Sequence, residues 1–202
     1  ALLCGVPSIA SAVGVRPTTS TTPADICDDG IDQDGDGADA VCAAGVLPSS
    51  TISSAAEAAE LCTLGNEVDG DLTIEPSMLY SVAGLHCLER VSGTLTVHVD
   101  SLKDLSGLDG VVDAGDIVLI DSRGTGRTYS LLPSVVEVDT LTLDGLALFD
   151  GLDAVDSLGT VTCIDSSWNT PTALTSIDAL DATDCVELRA LDGITEVTDS
   201  VV

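Results

Sequence analysis

The chain has 202 residues and a formal net charge of -28, because 34 acidic side chains stand against only six lysines and arginines. This balance excludes nucleic acid and disfavours anionic membrane surfaces as partners, since no basic patch is available to neutralise phosphate groups. Hydrophobic residues nevertheless make up 45% of the chain and the mean hydropathy is +0.39, which excludes a disordered acidic tail. Aromatic residues are only 2%, so the core must be built from Leu, Val, Ile and Ala.

Residues 1–26 form an N-terminal arm that carries almost no charge. The small residues Ala10-Ser11-Ala12 are typical of a signal-peptide cleavage site, so the arm is either a remnant of a secretory signal or an arm for assembly. In the second interpretation it lies along a neighbouring subunit, and the contact residues are Cys4, Val6, Ile9, Val13 and Val15.

The whole chain has no apolar run of about 18 residues, so the sequence predicts no transmembrane helix.

Residues 27–48 contain the most specific chemical pattern of the chain, an aspartate-rich loop between Cys27 and Cys42. Asp32, Asp34 and Asp36 alternate and are followed by Gly37, as in the first half of an EF-hand loop, where alternate carboxylates converge on one cation. The loop also resembles thrombospondin-type-3 calcium repeats and similar repeats of secreted bacterial proteins. This resemblance implies that calcium is bound by Asp32, Asp34 and Asp36, with Asp29 and Asp39 as further ligands. The alternative is a solvated acidic linker closed by a disulfide.

Residues 49–64 are predicted to form a short helix. Ser54 and Glu57 have the spacing of a capping box, and strong helix formers follow them. We expect this helix to cover the N-terminal end of the domain that comes next.

Residues 65–202 are organised by a repeat. Short stretches with alternating apolar residues recur with starts 20 to 25 residues apart, at 70–74, 93–97, 115–119, 139–143, 159–163 and 184–188. A second pattern, Leu-x-x-Leu-x-Gly-Leu-x-x-Val, lies between them. A nearly fixed period predicts a mostly β fold, a single parallel β-solenoid of about six coils, whose last strand at Val201-Val202 leaves an open edge.

The seven cysteines include no Cys-x-x-Cys pair, which favours disulfides in an oxidising compartment over a zinc site. Spacing suggests three local pairs: Cys27 with Cys42, Cys62 with Cys87, and Cys163 with Cys185. The last two pairs are each separated by about one repeat, so stacked coils would bring them together. Cys4 is left over, either free or bridged to another chain.

Over residues 62–202 the repeat resembles the receptor L domain, a leucine-rich-repeat-like β-helix. The segment Leu105-Ser-Gly-Leu-Asp-Gly-Val111 shows its pattern most clearly. The resemblance implies a right-handed β-helix and leaves the ligand open.

A further acidic feature follows the predicted strands. Four aspartates recur at intervals near the repeat length and are expected to stack in a column, either as simple turn residues or as a ladder bridged by cations: Asp100, Asp121, Asp144 and Asp165.

The sequence contains no motif of hydrolases, metalloproteases or P-loop enzymes, so we expect a protein without enzymatic activity. The leading hypothesis is a secreted, calcium-stabilised structural or adhesive protein of the cell surface. It would form a homo-oligomer or polymer, as a filament or surface layer, through the N-terminal arm and the open C-terminal coil. The alternative is a receptor-L-like module that binds a glycan or a protein. A third hypothesis is an ice-binding or polysaccharide-active β-helix, and halophilic adaptation is a second explanation for the acidity.

Overall fold

The computed structural model describes residues 26–28, 30–32, 35, 37–75, 79–189 and 194–201. Within these residues the fold is mostly β, with two parallel sheets and one α-helix, α1, at Ala55–Leu64. The strands are β1 Val46–Ile52, β2 Glu67–Ile74, β3 Arg90–His98, β4 Asp113–Ile120, β5 Thr128–Leu131, β6 Thr140–Asp144, β7 Leu148–Gly151, β8 Ser157–Ile164, β9 Ser167–Asn169, β10 Ser176–Asp184, β11 Glu187–Arg189 and β12 Glu196–Val201.

The larger sheet has eight strands in the order β1-β2-β3-β4-β6-β8-β10-β12, and every neighbouring pair is parallel. The strand order follows the chain, so each repeat of the sequence adds one strand to the growing edge. The register keeps equivalent apolar residues side by side, as in the row Leu72, Leu95, Ile117, Leu141 and Val161. This row is buried because side chains alternate between the two faces of a strand.

The smaller sheet has four short parallel strands in the order β11-β9-β7-β5. It starts only at β5. In the two preceding repeats the chain makes short 3-10 turns, at Ala83–Leu85 and Ser106–Leu108, with a single bridge between Ser81 and Asp104 in front of them. The first repeats therefore contribute a loop where the later repeats contribute a strand.

One hydrophobic cluster contains the inward side chains of both sheets, from Ile52 to Ile177. It is built mainly of Leu, Val and Ile, as the composition predicts. The two large aromatic residues Phe149 and Trp168 are also fully buried, on paired positions of β7 and β9.

Helix α1 confirms the predicted helix only in its second part: the helix begins at Ala55, whereas the start of the predicted range 49–64 belongs to β1. The Ser54 hydroxyl accepts a hydrogen bond from the Glu57 N–H, and the Glu57 carboxylate accepts one from the Ser54 N–H, which together make the capping box. Hydrogen bonds from Ser53 are the main reason that the pKa of Glu57 is lowered. The helix connects β1 to β2 and packs against the turn at Ala83–Leu85. Strand β1, which the sequence analysis did not predict, thus precedes the helix at the end of the sheet.

Four of the six predicted strands fall entirely within strands of the larger sheet, and a fifth, 139–143, overlaps β6 at Thr140–Asp144. The prediction of a strand at 184–188 is wrong: Asp184 ends β10, a turn follows, and Glu187 starts β11 in the smaller sheet. The register explains this, because Leu180 pairs with Val161 of β8. The strand of this repeat therefore lies earlier in the chain than its apolar pattern indicated.

Three disulfides join the same cysteine pairs that the spacing suggests. Their Cα–Cα distances are 4.9 Å for Cys27–Cys42, 5.6 Å for Cys62–Cys87 and 5.1 Å for Cys163–Cys185. The second bridge ties α1 to the chain just beyond the turn at Ala83–Leu85, and the third ties the end of β8 to the turn after β10. Both connect one repeat to the next.

The predicted column of four aspartates is wrong. Ile120 pairs with Asp144, so Asp144 lies level with Ile120 and one position before Asp121. On the other side, His98 pairs with Ile120, which places Asp100 one position beyond Asp121. The repeats differ in length by a few residues, and these differences move the aspartates out of line.

Candidate metal centre

The aspartate-rich loop is closed at its base by covalent and hydrogen bonds. Besides the Cys27–Cys42 disulfide, the Asp28 N–H donates to the Ala40 carbonyl at 2.8 Å, and the Cys42 N–H donates to the Asp28 carboxylate at 3.1 Å. These contacts hold the two ends of the loop together.

Asp32 lies at the inside of the loop's turn. One of its carboxylate oxygens accepts the Gly35 N–H at 2.6 Å, and the other accepts the Gly37 N–H at 2.8 Å. Gly35 and Gly37 have φ angles of +79° and +98°, a conformation that favours glycine. The Asp and Gly residues of the pattern therefore work together: the glycines let the backbone curl around the carboxylate of Asp32.

Asp39 is the described residue of the loop whose carboxylate is most suited to bind a cation. Its Oδ2 accepts the Gly30 N–H at 2.8 Å, whereas its Oδ1 is buried and has no hydrogen-bond partner among the described residues. A buried carboxylate oxygen without a partner is costly unless a donor or a cation satisfies it. Such an oxygen suits calcium, which prefers carboxylate ligands, although among the described residues no three carboxylates lie close enough together to share one metal ion. Asp29, Asp34 and Asp36 lie outside the described residues, and their role as ligands stays a prediction.

The contact residues predicted in the N-terminal arm also lie outside the described residues. They are Cys4, Val6, Ile9, Val13 and Val15.

His86 is a neighbour of the loop that no sequence motif marks. Its Nε2 lies 3.6 Å from Cys42 Sγ, and its Nδ1 lies 3.3 Å from the Ala83 carbonyl oxygen. His86, Cys27 and Cys42 are close enough together to hold a metal, but both sulfur atoms are bonded to each other. The imidazole therefore links the base of the loop to the turn at Ala83–Leu85.

A second polar cluster was also missed. Asp121 is only 2% exposed, and its Oδ2 accepts hydrogen bonds from the Thr125 N–H at 2.9 Å, the Thr125 hydroxyl at 2.7 Å and the Tyr129 hydroxyl at 3.0 Å. Burial by itself raises the pKa of Asp121, but the hydrogen bonds outweigh burial and hold the pKa below its usual value. Burial raises the pKa of Tyr129, and the Asp121 carboxylate raises it further, so the phenol stays protonated. No sequence motif marks this cluster, since Asp121 and Thr125 are ordinary loop residues and Tyr129 lies in the short strand β5.

The chain matches no known family model, and no curated protein or solved structure is significantly similar to it. Within the described residues, no helix has the length and apolar character needed to cross a membrane.

Proposed function

We propose that this protein is an extracellular structural or adhesive protein without enzymatic activity, built on a β-solenoid that calcium stabilises. The observation that carries the proposal is the parallel, in-register sheet to which each repeat adds one strand. Three disulfides, two of them between successive repeats, are compatible with an extracellular location. A fold of this kind presents long regular faces, which suit mechanical support and adhesion.

We further propose that the two parallel sheets belong to one β-solenoid. The alternation of strands from the larger and the smaller sheet, from β4 onward, supports a chain that turns once per repeat. Eight strands at a spacing of about 4.8 Å would give a stack roughly 34 Å long. The resemblance to the receptor L domain implies that the turns are right-handed.

Calcium is the proposed cofactor, bound between the carboxylates of the loop. Asp32 and Asp39 would hold it, together with Asp29, Asp34 and Asp36. The buried, unpartnered Oδ1 of Asp39 supports this assignment. A divalent cation would also offset part of the net charge of -28, which otherwise repels the compact state.

Thermal unfolding tests the calcium proposal. We expect the melting temperature to rise on addition of calcium, to fall on addition of a chelator, and to respond much less in an Asp32→Asn variant. Asp109→Asn is the matched control, because it removes the same charge from an exposed turn outside the loop. A melting temperature that a chelator does not change in the unsubstituted chain would refute the calcium proposal.

Self-assembly is the second part of the proposal. In the described part of the chain, the end strands β1 and β12 each pair on one side only, and such edges are templates for pairing with another chain. The net charge opposes association, so assembly should require salt or divalent cations. Light scattering of the full chain tests this. We expect the mass to increase with calcium, and a monomer at every calcium concentration would contradict assembly.

A further inference from the structure

A cavity of about 370 Å³ lies where the fold changes from loop to strand. It is lined on one side by Leu102–Leu105 and on the other by Arg127–Ser130. The first of these segments precedes the 3-10 turn at Ser106–Leu108, and the second contains β5, the first strand of the smaller sheet. A loop and a strand in successive repeats do not pair along their length, and the cavity is the gap that this mismatch leaves.

This cavity concentrates positive charge in a strongly acidic chain. Two of the six lysines and arginines, Lys103 and Arg127, line it. Neither forms an ion pair with a described carboxylate. Asp104 also lines the cavity, but its carboxylate accepts hydrogen bonds from Ser81 and Ser106, and these bonds lower its pKa. Asp104 therefore stays ionised, and the cavity lining carries two positive charges against one negative charge. Because neither cation is paired with Asp104, both can still contact an external anion.

Both cations are held in position by contacts with the protein. The Arg127 guanidinium donates to the Leu102 carbonyl at 3.2 Å, and this bond spans the gap between the two repeats. Within the described residues its other N–H groups have no protein acceptor and can bind a ligand. The Lys103 ammonium lies 5.6 Å from the centre of the Tyr80 ring, within the range of a cation–π interaction.

Two buried carboxylates hold the loop that carries Arg127 in place through hydrogen bonds. Asp121 binds Thr125 and Tyr129 as described above, and Asp100, which is 6% exposed, accepts the Arg123 N–H at 2.9 Å. The loop therefore presents Arg127 on a rigid support, which lowers the ordering cost of binding a ligand.

We propose that this cavity binds a sugar that carries one carboxylate, such as a hexuronic acid residue. The guanidinium of Arg127 suits a planar carboxylate, and Lys103 adds a second positive charge. The hydroxyl groups of Thr128 and Ser130 are suited to the hydroxyl groups of a sugar. The strong negative charge of the rest of the chain disfavours a densely sulfated polyanion and favours a ligand with a single charge.

Titration of the full chain with sodium glucuronate, followed by NMR of the backbone amides, tests the proposal. We expect a dissociation constant of roughly 1 mM, typical of a ligand of this size with modest efficiency. The largest shifts should fall on Thr128 and Ser130, and glucose should bind at least about tenfold more weakly. Lys103→Gln and Arg127→Gln should each weaken glucuronate binding about tenfold. Arg123→Gln is the matched control, since it removes the same charge four residues away from Arg127 and outside the cavity lining, and it should change affinity less than about twofold.

Several results would overturn the proposal. These are the absence of saturable glucuronate binding, amide shifts centred on another surface, or an equal loss of affinity in the Arg123→Gln variant. Acetate binding as tightly as glucuronate would reduce the site to a bare carboxylate contact and would also contradict it. Tighter binding of a sulfated polysaccharide would assign the cavity to a different class of ligand. None of these results bears on calcium binding, so this proposal and the proposed function fail separately.

Discussion

The Cys62–Cys87 disulfide offers the sharpest test of how successive repeats are joined. Replacing both cysteines with alanine removes a link that closes a separation of 25 residues, and the chain-entropy relation then predicts a loss of about 3.5 kcal/mol in the free energy of unfolding. Cys62 is fully buried, so removal of the sulfur atoms should leave a small cavity and add to this loss. Urea denaturation at a fixed, high calcium concentration measures it.

The matched control is the Cys27→Ala/Cys42→Ala variant, in which the removed bridge closes 15 residues and should cost about 3 kcal/mol. The two variants should differ in calcium affinity. Opening the base of the aspartate-rich loop should weaken calcium binding, whereas the Cys62→Ala/Cys87→Ala variant should bind calcium within about twofold of the unsubstituted chain. A stability loss below about 1 kcal/mol in the latter variant, or an equal loss of calcium affinity in both, would refute the reasoning.

Three further predictions concern two buried packing positions and the ionisation of the buried Asp121 carboxylate. Gly107→Ala should destabilise the fold by about 1–3 kcal/mol, because an added Cβ would collide with the Val82 carbonyl of the preceding repeat, whereas Asp109→Ala in the exposed turn should change the urea midpoint little. Phe149→Ala should cost about 3–5 kcal/mol in the same assay, since the ring is fully buried, and a loss under 1 kcal/mol would contradict its place in the core. The lowered pKa of Asp121 means that its carboxylate stabilises the fold above its unfolded pKa, so this contribution should be lost as the pH falls below about 4. An Asp121→Asn variant should show a shallower acid transition, and an unchanged transition would count against this assignment.

Much of the larger sheet is predictable from the sequence, because its strands are long enough to show alternation. Leu141 and Leu143, for example, alternate with threonines and are both fully buried in β6. Helix α1 is predictable for a similar reason, since its start is marked by the capping box of Ser54 and Glu57. These signals are local in the sequence, so they can be recognised without knowing the contacts that distant residues make.

The smaller sheet is not predictable in the same way. Its strands have only three or four residues, as in β9 at Ser167–Asn169, which is too short for a periodic pattern. They form because the neighbouring repeat supplies a partner. Register is also non-local, and a difference of one or two residues between repeats was enough to separate Asp121 from Asp144.

The two sites illustrate the same limit. The calcium loop is contiguous in sequence, so Asp32 and Asp39 can be picked out from the printed chain. The cavity depends on Lys103 and Arg127, which lie in different repeats and belong to no motif. Only the change from a loop to strand β5 brings them to one gap, and that change is visible only in the folded chain.

Calorimetric titration of the full chain with calcium is the most direct test of the central claim. We predict saturable binding that is lost in an Asp32→Asn/Asp39→Asn double variant, with an affinity that remains within about threefold when Asp109 is replaced by Asn. The absence of saturable binding at calcium concentrations of about 10 mM, above the range of extracellular calcium modules, would contradict the account.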